Sequence, residues 1–265
     1  MLIVGELINS SRKAIKELIR SRNREAIQKI AISQVQNGAD FIDVNAGVFM
    51  GEEPDCLKWL VETVQAAVDA PCCIDSPDPS AIAAALSVHK GPAMINSISL
   101  EENRYEPLLS LVAGTDLTVV ALCMSDDGMP ETLSERLRRA DNLINGLVQK
   151  QVALDRIYVD LLVQPVCTDS QSGSAFLDAV ETVMKTYDGV HTICGLSNIS
   201  YGLPLRRLMN RTFMIMAVAH GLDAAIVDPL DRDMMSAVIT AQALAGHDDY
   251  CLNYLKAYRE KQLQA

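Results

Sequence analysis

The sequence contains no long run of apolar residues. The N-terminal stretch MLIVGELINSSRK has an apolar run of about five residues and no positive charge before it. A secretory signal needs a longer apolar segment after a basic one, and a membrane-spanning helix needs about 20 apolar residues. We therefore expect a soluble, cytoplasmic protein that does not associate with a membrane.

Paired cysteines and clustered histidines are also missing. The seven cysteines are an odd number, none stands in a CxxC pair, and no histidine lies at ligand spacing from one. Cysteines scattered through apolar segments are typical of reduced, mostly buried thiols. The four histidines fall at helix ends, a strand start and a late turn, and no DxD or DxN cluster occurs. The sequence therefore predicts no metal site.

Positive charge is scarce. The chain has 23 Lys and Arg residues against 34 Asp and Glu residues, and its formal net charge is -11. A nucleic-acid-binding protein needs a basic face to neutralise phosphates. The charge balance therefore argues against nucleic acid and favours a small molecule or another protein as the partner.

Short strand-like runs alternate with helical segments along the whole chain. The eight runs are residues 2–7, 41–45, 71–76, 93–97, 117–124, 157–163, 191–198 and 224–228. About eight βα units in roughly 250 residues predict an α/β fold, a closed (β/α)8 TIM barrel that forms a single domain over residues 1–265. An open doubly wound sheet is the alternative. Its nucleotide-binding form carries GxGxxG or GxxxxGK[ST] after the first strand, and neither motif occurs.

Polar side chains stand where most of the predicted strands end. In a parallel barrel these ends open onto one rim, where the active site of such enzymes forms. Asp, Asn and Ser are also common helix caps, and that role suits Ser76, Ser97 and Ser200. Four residues from four different strands fit a shared binding pocket better than four caps: Asp75, Asn96, Asp160 and Asn198.

The residue types in this predicted pocket indicate a flat, neutral, hydrogen-bonding ring as the ligand. Carboxylates can accept two parallel N–H bonds from an amino-pyrimidinone edge, and amides offer both a donor and an acceptor. Covalent catalysis has little support, because the sequence has no Ser–His pair, no GxSxG motif and no lysine at the carboxyl end of a strand.

Several motifs occur in order from the first predicted strand to the last. They are LIVGELIN (2–9), ADFIDVNAG (39–47), IDS (74–76), MINS (94–97), YVDLLVQP (158–165), GLSNIS (195–200) and NRTFMIMAVAHGLDAAIVD (210–228). In these motifs the chain resembles the methyltetrahydrofolate:corrinoid methyltransferases. That family belongs to the pterin-binding barrel superfamily, with dihydropteroate synthase and the folate domain of cobalamin-dependent methionine synthase. The resemblance runs almost from end to end.

The resemblance implies a pterin held in the barrel mouth. Three residues match those that hydrogen-bond the pterin ring: Asp75, Asn96 and Asp160. Asn198 matches the catalytic amide that reaches N5 of the pterin. Three more match positions that line the pocket: Gly195, Ser197 and Met124. Arg206 would meet the carboxylated folate tail, for which an arginine fork is suited, with a solvated helical turn as the alternative.

The resemblance also implies the other substrate and the assembly. The methyl acceptor would be the Co(I) state of a corrinoid (cobalamin). Because the chain has no DxHxxG cobalamin-binding signature and no length for a second domain, the corrinoid is expected on a separate partner protein. The transfer can run from methyltetrahydrofolate to the corrinoid or from the methyl-corrinoid to tetrahydrofolate, and the sequence does not set the direction. A homodimer is expected by resemblance.

Two alternative functions stay open at this point. A dihydropteroate synthase-like condensing enzyme shares the barrel and the pocket, but it carries a GGxSTRPG loop after the second strand and a lysine near the seventh. The corresponding segments here, DVNAGVFMGEEP and GLSNIS, contain neither feature. A non-catalytic folate-binding protein would need the pocket but not the amide of Asn198.

Overall fold

Eight parallel strands form a nearly closed barrel in the computed structural model, which describes residues 1–264. They are β1 Leu2–Asn9, β2 Phe41–Asn45, β3 Cys72–Asp75, β4 Met94–Leu100, β5 Thr118–Ser125, β6 Ile157–Asp160, β7 His191–Ile193 and β8 Ala224–Val227. Strands β1 to β7 pair successively in chain order, and β1 also pairs with β8. The ring closes where the Ile226 amide donates to the Cys194 carbonyl at 3.0 Å. The predicted TIM barrel is confirmed.

Helices surround this barrel. They are α1 Lys13–Arg20, α2 Arg24–Gln36, α3 Glu53–Gln65, α4 Pro79–Leu86, α5 Glu102–Val112, α6 Leu133–Gln149, α7 Ser172–Thr186, α8 Arg206–Ala219, α9 Arg232–Leu244 and α10 Leu252–Arg259. Four of them begin at a side chain that accepts a hydrogen bond from the first turn: Asn23, Asp78, Thr132 and Asp231. Their apolar faces pack on the outside of the strands and form the main core.

The inside of the barrel is apolar below and polar above. Successive residues of a strand point to opposite faces, so every second residue points inward. The lower inward positions form a separate small core of Val4, Cys73, Met94, Val120, Tyr158, Ile193 and Ala224. Two residues further along four of these strands the inward position is polar, at Glu6, Asp75, Asn96 and Asp160. The strand periodicity therefore places a polar mouth at the carboxyl end of the barrel.

Strand β6 ends at Asp160, three residues before its predicted end. The Asp160 carboxylate accepts a hydrogen bond from the Leu162 amide at 2.8 Å, and Leu162 has a φ of 62°. A residue in the left-handed region cannot continue a strand. The carbonyls of Leu161 and Leu162 accept hydrogen bonds from the buried side chain of Arg136. The apolar sequence after Asp160 therefore forms a fixed loop.

Strand β7 ends at Ile193, whereas the sequence predicted a strand as far as residue 198. Residues Leu196–Ser200 instead form a 3₁₀ turn, in which Leu196 and Ile199 are buried. Leu196 belongs to the predicted strand-like run, and Ile199 follows directly after it. Because Leu196 and Ile199 pack in the main core, the turn leaves Ser197 and Asn198 exposed at the mouth of the barrel.

All seven cysteines are free, and five of them are buried, as the sequence predicted. Within residues 1–264, no helix is both long enough and apolar enough to cross a membrane. The same part of the chain has no group of three His, Cys, Asp or Glu side chains arranged to hold a metal ion.

A histidine–carboxylate pair lies at the amino-terminal end of the barrel. His191 Nδ1 contacts Asp223 Oδ2 at 2.5 Å, and the imidazole stacks on Tyr158 with ring centroids 4.6 Å apart. The hydrogen bond with Asp223 raises the pKa of His191, and burial only partly opposes this. Asp223 also accepts from the Thr192 amide at 2.8 Å, so the pair connects β7 to the start of β8.

We expect His191→Gln to lower the free energy of unfolding by roughly 1 to 3 kcal/mol at pH 5.5 and by less at pH 9. The folded-state pKa is raised, so the stability that the pair contributes is fully present below the unfolded pKa of 6.5 and is lost as the pH rises through the folded pKa. Urea unfolding at both pH values measures the difference, with exposed His247→Gln as the control. If the free energy of unfolding fell by the same amount at pH 5.5 and pH 9, the charged pair of His191 and Asp223 would not be the cause.

Candidate active site

A polar cavity of about 400 Å³ lies at the carboxyl ends of the strands. Its walls come from β1 and the loop after it, from β2, β3 and β4, from the turn after β7, and from β8. The lining residues are Glu6, Asn9, Ser11, Arg12, Asp43, Asp75, Asn96, Gly195, Ser197, Asn198 and Ile226. Carboxyl and amide groups dominate this set, so the cavity offers mainly hydrogen-bond acceptors and has a single cationic side chain.

The structure brings together five of the eight residues predicted for the site, namely Asp75, Asn96, Gly195, Ser197 and Asn198. The other three do not line this cavity. Asp160 ends β6, Met124 lies near the end of β5, and Arg206 begins α8. The functional roles assigned to all eight residues remain predictions.

The Asp75 carboxylate is held by an amide on the neighbouring strand. Asn45 Nδ2 donates to Asp75 Oδ2 at 3.0 Å, which the parallel pairing of Asn45 with Asp75 makes possible. Asn45 Oδ1 accepts in turn from Ser10 Oγ at 2.8 Å and from the Gly47 amide at 3.1 Å. The amide orientation is thus fixed by its partners. One Asp75 oxygen is anchored, and the other has no hydrogen bond from residues 1–264 and is free to accept one from a ligand.

Asp75 is an unusually weak acid for an aspartate. Burial raises the pKa of Asp75 to about 6, and the nearby Glu53 carboxylate acts in the same direction. The hydrogen bond from Asn45 and the charge of Arg104 oppose this rise without cancelling it. Asp75 is therefore mostly ionised at pH 7 and above, where its carboxylate accepts hydrogen bonds and donates none.

Asp160 has a similar electrostatic environment at the end of β6. Burial raises its pKa to about 6, against the lowering effects of the Leu162 amide and the Arg136 charge. The Arg136 side chain is only 2% exposed, and it donates to the carbonyls of Leu161 and Leu162. Helix α6 thereby fixes the loop after β6 and the position of Asp160 with it.

Asn198 lies in the turn after β7, and its side chain makes no hydrogen bond with any of residues 1–264. Arg206 fixes the backbone of this turn. Its Nη2 donates to the Ser197 carbonyl at 2.7 Å, and its Nε donates to Ser200 Oγ at 3.0 Å. Its guanidinium also lies 6.0 Å from the ring centroid of Tyr201. The structure thus shows Arg206 supporting the turn that carries Asn198, while its predicted contact with a folate tail remains a prediction.

Sequence reasoning did not assign five polar residues of the lining: Glu6, Asn9, Ser11, Arg12 and Asp43. A signal existed for two of them, because Glu6 and Asp43 occupy inward positions of the period-two pattern in β1 and β2. No such signal marks Arg12. Its guanidinium reaches Glu6 at 2.7 Å across the first loop, a contact that only the folded chain creates.

Comparison with known proteins identifies the class to which this barrel and cavity belong. Residues 5–228 match the pterin-binding enzyme family, and the chain belongs to that family. A methylcorrinoid:tetrahydrofolate methyltransferase from Eubacterium limosum is 37% identical over 262 residues, which cover 98% of this chain and 97% of the relative. The chain is a methyltransferase, and its predicted resemblance to the methyltetrahydrofolate:corrinoid methyltransferases is confirmed.

Other known proteins are similar to this chain either in part of their sequence or in the barrel fold alone. Methionine synthase from Mycobacterium tuberculosis is 28% identical over 240 residues, which are 86% of this chain and 20% of that protein. A dihydropteroate synthase from Coxiella burnetii in complex with pteroic acid superposes with a TM-score of 0.70 at 15% identity, covering 92% of this chain and 93% of that chain. The enzyme from Xanthomonas albilineans with 7,8-dihydropteroate gives 0.70 at 18% identity, covering 92% and 91%. At these identities the structural matches show the barrel fold alone.

Proposed function

We propose that this enzyme moves a methyl group between N5 of tetrahydrofolate and the cobalt of a corrinoid carried on a separate protein. The observation that supports this most directly is the uncommitted amide of Asn198, which faces the same cavity as Asp75 and Asn96. A pterin needs acceptors along its N–H edge and a donor at N5. The name of the Eubacterium limosum relative joins the same two substrates.

The pterin ring is held by groups on separate strands. Ionised Asp75 accepts N–H bonds from the ring, and Asn96 serves ring atoms that need either a donor or an acceptor. Asp160 supplies a further acceptor from β6, beside the residues that line the cavity. The remaining predicted contacts come from Gly195, Ser197 and Met124 in the wall and from Arg206 toward the folate tail. Because the contacts come from a rigid barrel, the ring is oriented before any reaction begins.

The methyl-transfer step explains the need for Asn198. The methyl carbon bonds to cobalt(I), and the electron pair of the broken N–C bond stays on N5, which then takes a proton from solvent. A tertiary amine is a poor leaving group unless its nitrogen gains a proton or a strong hydrogen bond. A hydrogen bond from Asn198 that tightens as N5 gains electron density stabilises the transition state more than the ground state. The same contact serves the reverse transfer from methyl-corrinoid.

The alternative functions are less well supported. A dihydropteroate synthase-like condensation would need a lysine near β7, and the turn at Leu196–Ser200 has Ser197 and Asn198 exposed in that place. A non-catalytic folate-binding protein would not need an uncommitted amide held at a fixed position in the mouth.

Methyl exchange between methyltetrahydrofolate and free cobalt(I) cobalamin tests the proposal. The visible spectrum of cobalamin reports the reaction, and we expect enzyme-dependent turnover in at least one direction. A condensing enzyme or a folate-binding protein would give none. Tight folate binding without exchange, both with cobalt(I) cobalamin and with methylcobalamin plus tetrahydrofolate, would reject the proposal.

We also propose that the enzyme forms a homodimer through the outer face of α8. Leu205, Leu208 and Met216 are 79%, 57% and 45% exposed. They border an apolar groove of about 540 Å³ between α7 and α8. Contiguous exposed apolar surface of this kind is typical of protein–protein contacts, and the family resemblance supports a second copy as the occupant.

Leu208→Glu is expected to convert this dimer to a monomer, because each subunit would bury an unpaired charge in an apolar contact. Sedimentation velocity measures the change, and Val148→Glu on the outer surface of α6 is the control, since Val148 is also exposed. A wild-type protein that sediments as a monomer, or a Leu208→Glu variant that stays dimeric, would contradict the proposed interface.

A further inference from the structure

Positive charge is concentrated in one short segment of this acidic protein. Residues 12–24 contain six Lys and Arg residues and a single acidic residue, so the segment has a formal charge of +5 in a chain whose net charge is -11. An exposed helix that serves only solubility usually mixes charges of both signs. Only Arg12 of these six cations lines the cavity. The other five have no role in the proposed methyl transfer.

Helix α1 presents part of this charge on one face. Ile15 and Ile19 are buried in the main core and fix the orientation of the helix. Lys13, Lys16 and Arg20 are three and four residues apart, a spacing that places their side chains along one face of a helix. Lys13 and Arg20 are exposed, and Lys16 is half-buried. At a rise of 1.5 Å per residue, this basic stripe of three residues is about 10 Å long.

The basic stripe is not neutralised within the chain. Lys13 and Lys16 form no ion pair with any of residues 1–264. Arg20 contacts Glu17 at 2.9 Å, but these side chains are 58% and 57% exposed. Exposed pairs of this kind are weak. The stripe therefore keeps its charge available for an anionic ligand.

Both ends of α1 lie at the carboxyl end of the barrel. Its first residue directly follows Arg12, which lines the cavity. Shortly after its last residue, Arg22 donates to the Asp55 carbonyl at 3.4 Å. Asp55 lies in the first turn of α3, which follows β2 on the same side of the barrel. The basic stripe therefore begins beside the cavity and runs along its rim.

The proposed orientation of the folate leaves this side of the cavity for its tail. The N–H edge of the ring is assigned to Asp75 and Asn96, and N5 is assigned to Asn198. The tail of a folate is attached to the ring carbon next to N5. From the turn that carries Asn198, the wall continues through Ile226 of β8 to Arg12 after β1. A tail that leaves along this wall passes Arg12 and reaches the start of α1.

We propose that the basic stripe of α1 binds the carboxylates of a γ-linked oligoglutamate tail, so that the enzyme prefers folates with several glutamates to folates with one. The inference rests on the proposed function for the identity of the ring. Each added γ-linked glutamate contributes one negative carboxylate and extends the chain by roughly 6 Å, from standard bond lengths. Two added units therefore match the length of the stripe. Lysine and arginine bind such carboxylates through charge-assisted hydrogen bonds.

An acidic protein surface fits the basic stripe less well than a tail does. The centre of a protein–protein contact is usually enriched in apolar and aromatic side chains. Residues 11–24 include no large apolar side chain that is exposed. Arg12 also continues the positive charge into the cavity. A chain of carboxylates anchored in the cavity accounts for both features.

Titration calorimetry with tetrahydrofolate that carries one glutamate or three γ-linked glutamates tests the proposal. The measured quantity is the ratio of the two affinities. In low salt we expect the wild type to bind the triglutamate about tenfold more tightly, because each exposed charge pair contributes about twofold to fivefold. In high salt the ratio should fall toward one, since dissolved ions screen exposed charges.

Three double variants show whether the stripe is responsible. Lys13→Gln/Lys16→Gln removes two charges and should lower the ratio in low salt to about two. Lys13→Arg/Lys16→Arg keeps both charges and should keep the wild-type ratio. The matched control is Lys90→Gln/Lys150→Gln, which removes two exposed lysines that precede β4 and β6 at the opposite end of the barrel. This control should also keep the wild-type ratio.

A wild-type ratio near one in low salt would overturn the proposal, and so would a wild-type ratio in Lys13→Gln/Lys16→Gln. An equal loss in Lys90→Gln/Lys150→Gln would assign the effect to net charge and reject the stripe as the site. These outcomes are distinct from a failure of the proposed reaction. An enzyme that binds both folates but exchanges no methyl group would reject the methyl transfer, while the ratio would still decide the role of α1.

Discussion

Replacing Asn198 by alanine is expected to lower the rate of methyl exchange by about a hundredfold to a thousandfold while tetrahydrofolate affinity changes little. The amide is exposed in the turn after β7 and makes no hydrogen bond with residues 1–264, so its removal leaves the turn intact. A donor whose hydrogen bond tightens only as N5 gains electron density contributes to turnover and not to binding. Single-turnover kinetics and titration calorimetry measure the two quantities separately.

The control for this variant is Asn145→Ala. Asn145 is an exposed amide on α6 whose only side-chain hydrogen bond within residues 1–264 goes to Asp141, at 2.9 Å. The Asn145→Ala variant should change neither the rate of methyl exchange nor the affinity for tetrahydrofolate. If Asn198→Ala lost affinity and rate in equal measure, the amide would contribute uniform binding, and its assignment to the transition state would be wrong.

Replacing Asp75 by asparagine is expected to weaken tetrahydrofolate binding by about tenfold to a hundredfold at pH 8 and, at the same pH, to stabilise the fold. The affinity falls because a charge-assisted hydrogen bond to the ring becomes a neutral one. The fold gains because burial raises the pKa of Asp75 from 3.8 to about 6. At about 1.4 kcal/mol for each pKa unit, keeping this carboxylate ionised in the folded protein costs up to roughly 3 kcal/mol.

The direction of the pKa shift sets the pH range in which Asp75 affects stability. The folded-state pKa is raised, so the contribution of Asp75 to stability is fully present below pH 3.8 and is lost as the pH rises through about 6. Thermal unfolding at pH 8 should therefore show Asp75→Asn melting several degrees above the wild type, with little difference near pH 4. Exposed Asp116→Asn should not change the melting temperature. If Asp75→Asn bound tetrahydrofolate as tightly as the wild type, Asp75 would not be an acceptor for the pterin ring.

The fold was predictable because its signals are local. Each strand is a short run of apolar and β-branched residues, and the helical segments between the strands have their own periodicity, so the eightfold alternation is readable without any tertiary contact. The convergence of Asp75, Asn96 and Asn198 on one cavity followed from a single rule, that the carboxyl ends of parallel strands share a rim.

The predicted strand ends were wrong where tertiary contacts override local preference. The segment after Asp160 is apolar enough for a strand, but Arg136 on α6 takes the carbonyls that a ladder would need. The segment after Ile193 continues an apolar run as far as Leu196, yet Leu196 and Ile199 are the buried anchors of a turn. In both places the end of the strand is set by packing or hydrogen bonding with another part of the chain.

The sequence by itself determined the barrel, its polar mouth and its family, because these depend on the order and periodicity of residue types along the chain. Only the tertiary structure decided how the mouth is charged. It paired Arg12 with Glu6, directed Arg206 to the turn that carries Asn198, and buried Asp43 without a cation. Protonation and side-chain pairing depend on distances and solvent exclusion between segments remote in sequence, and no local pattern encodes these.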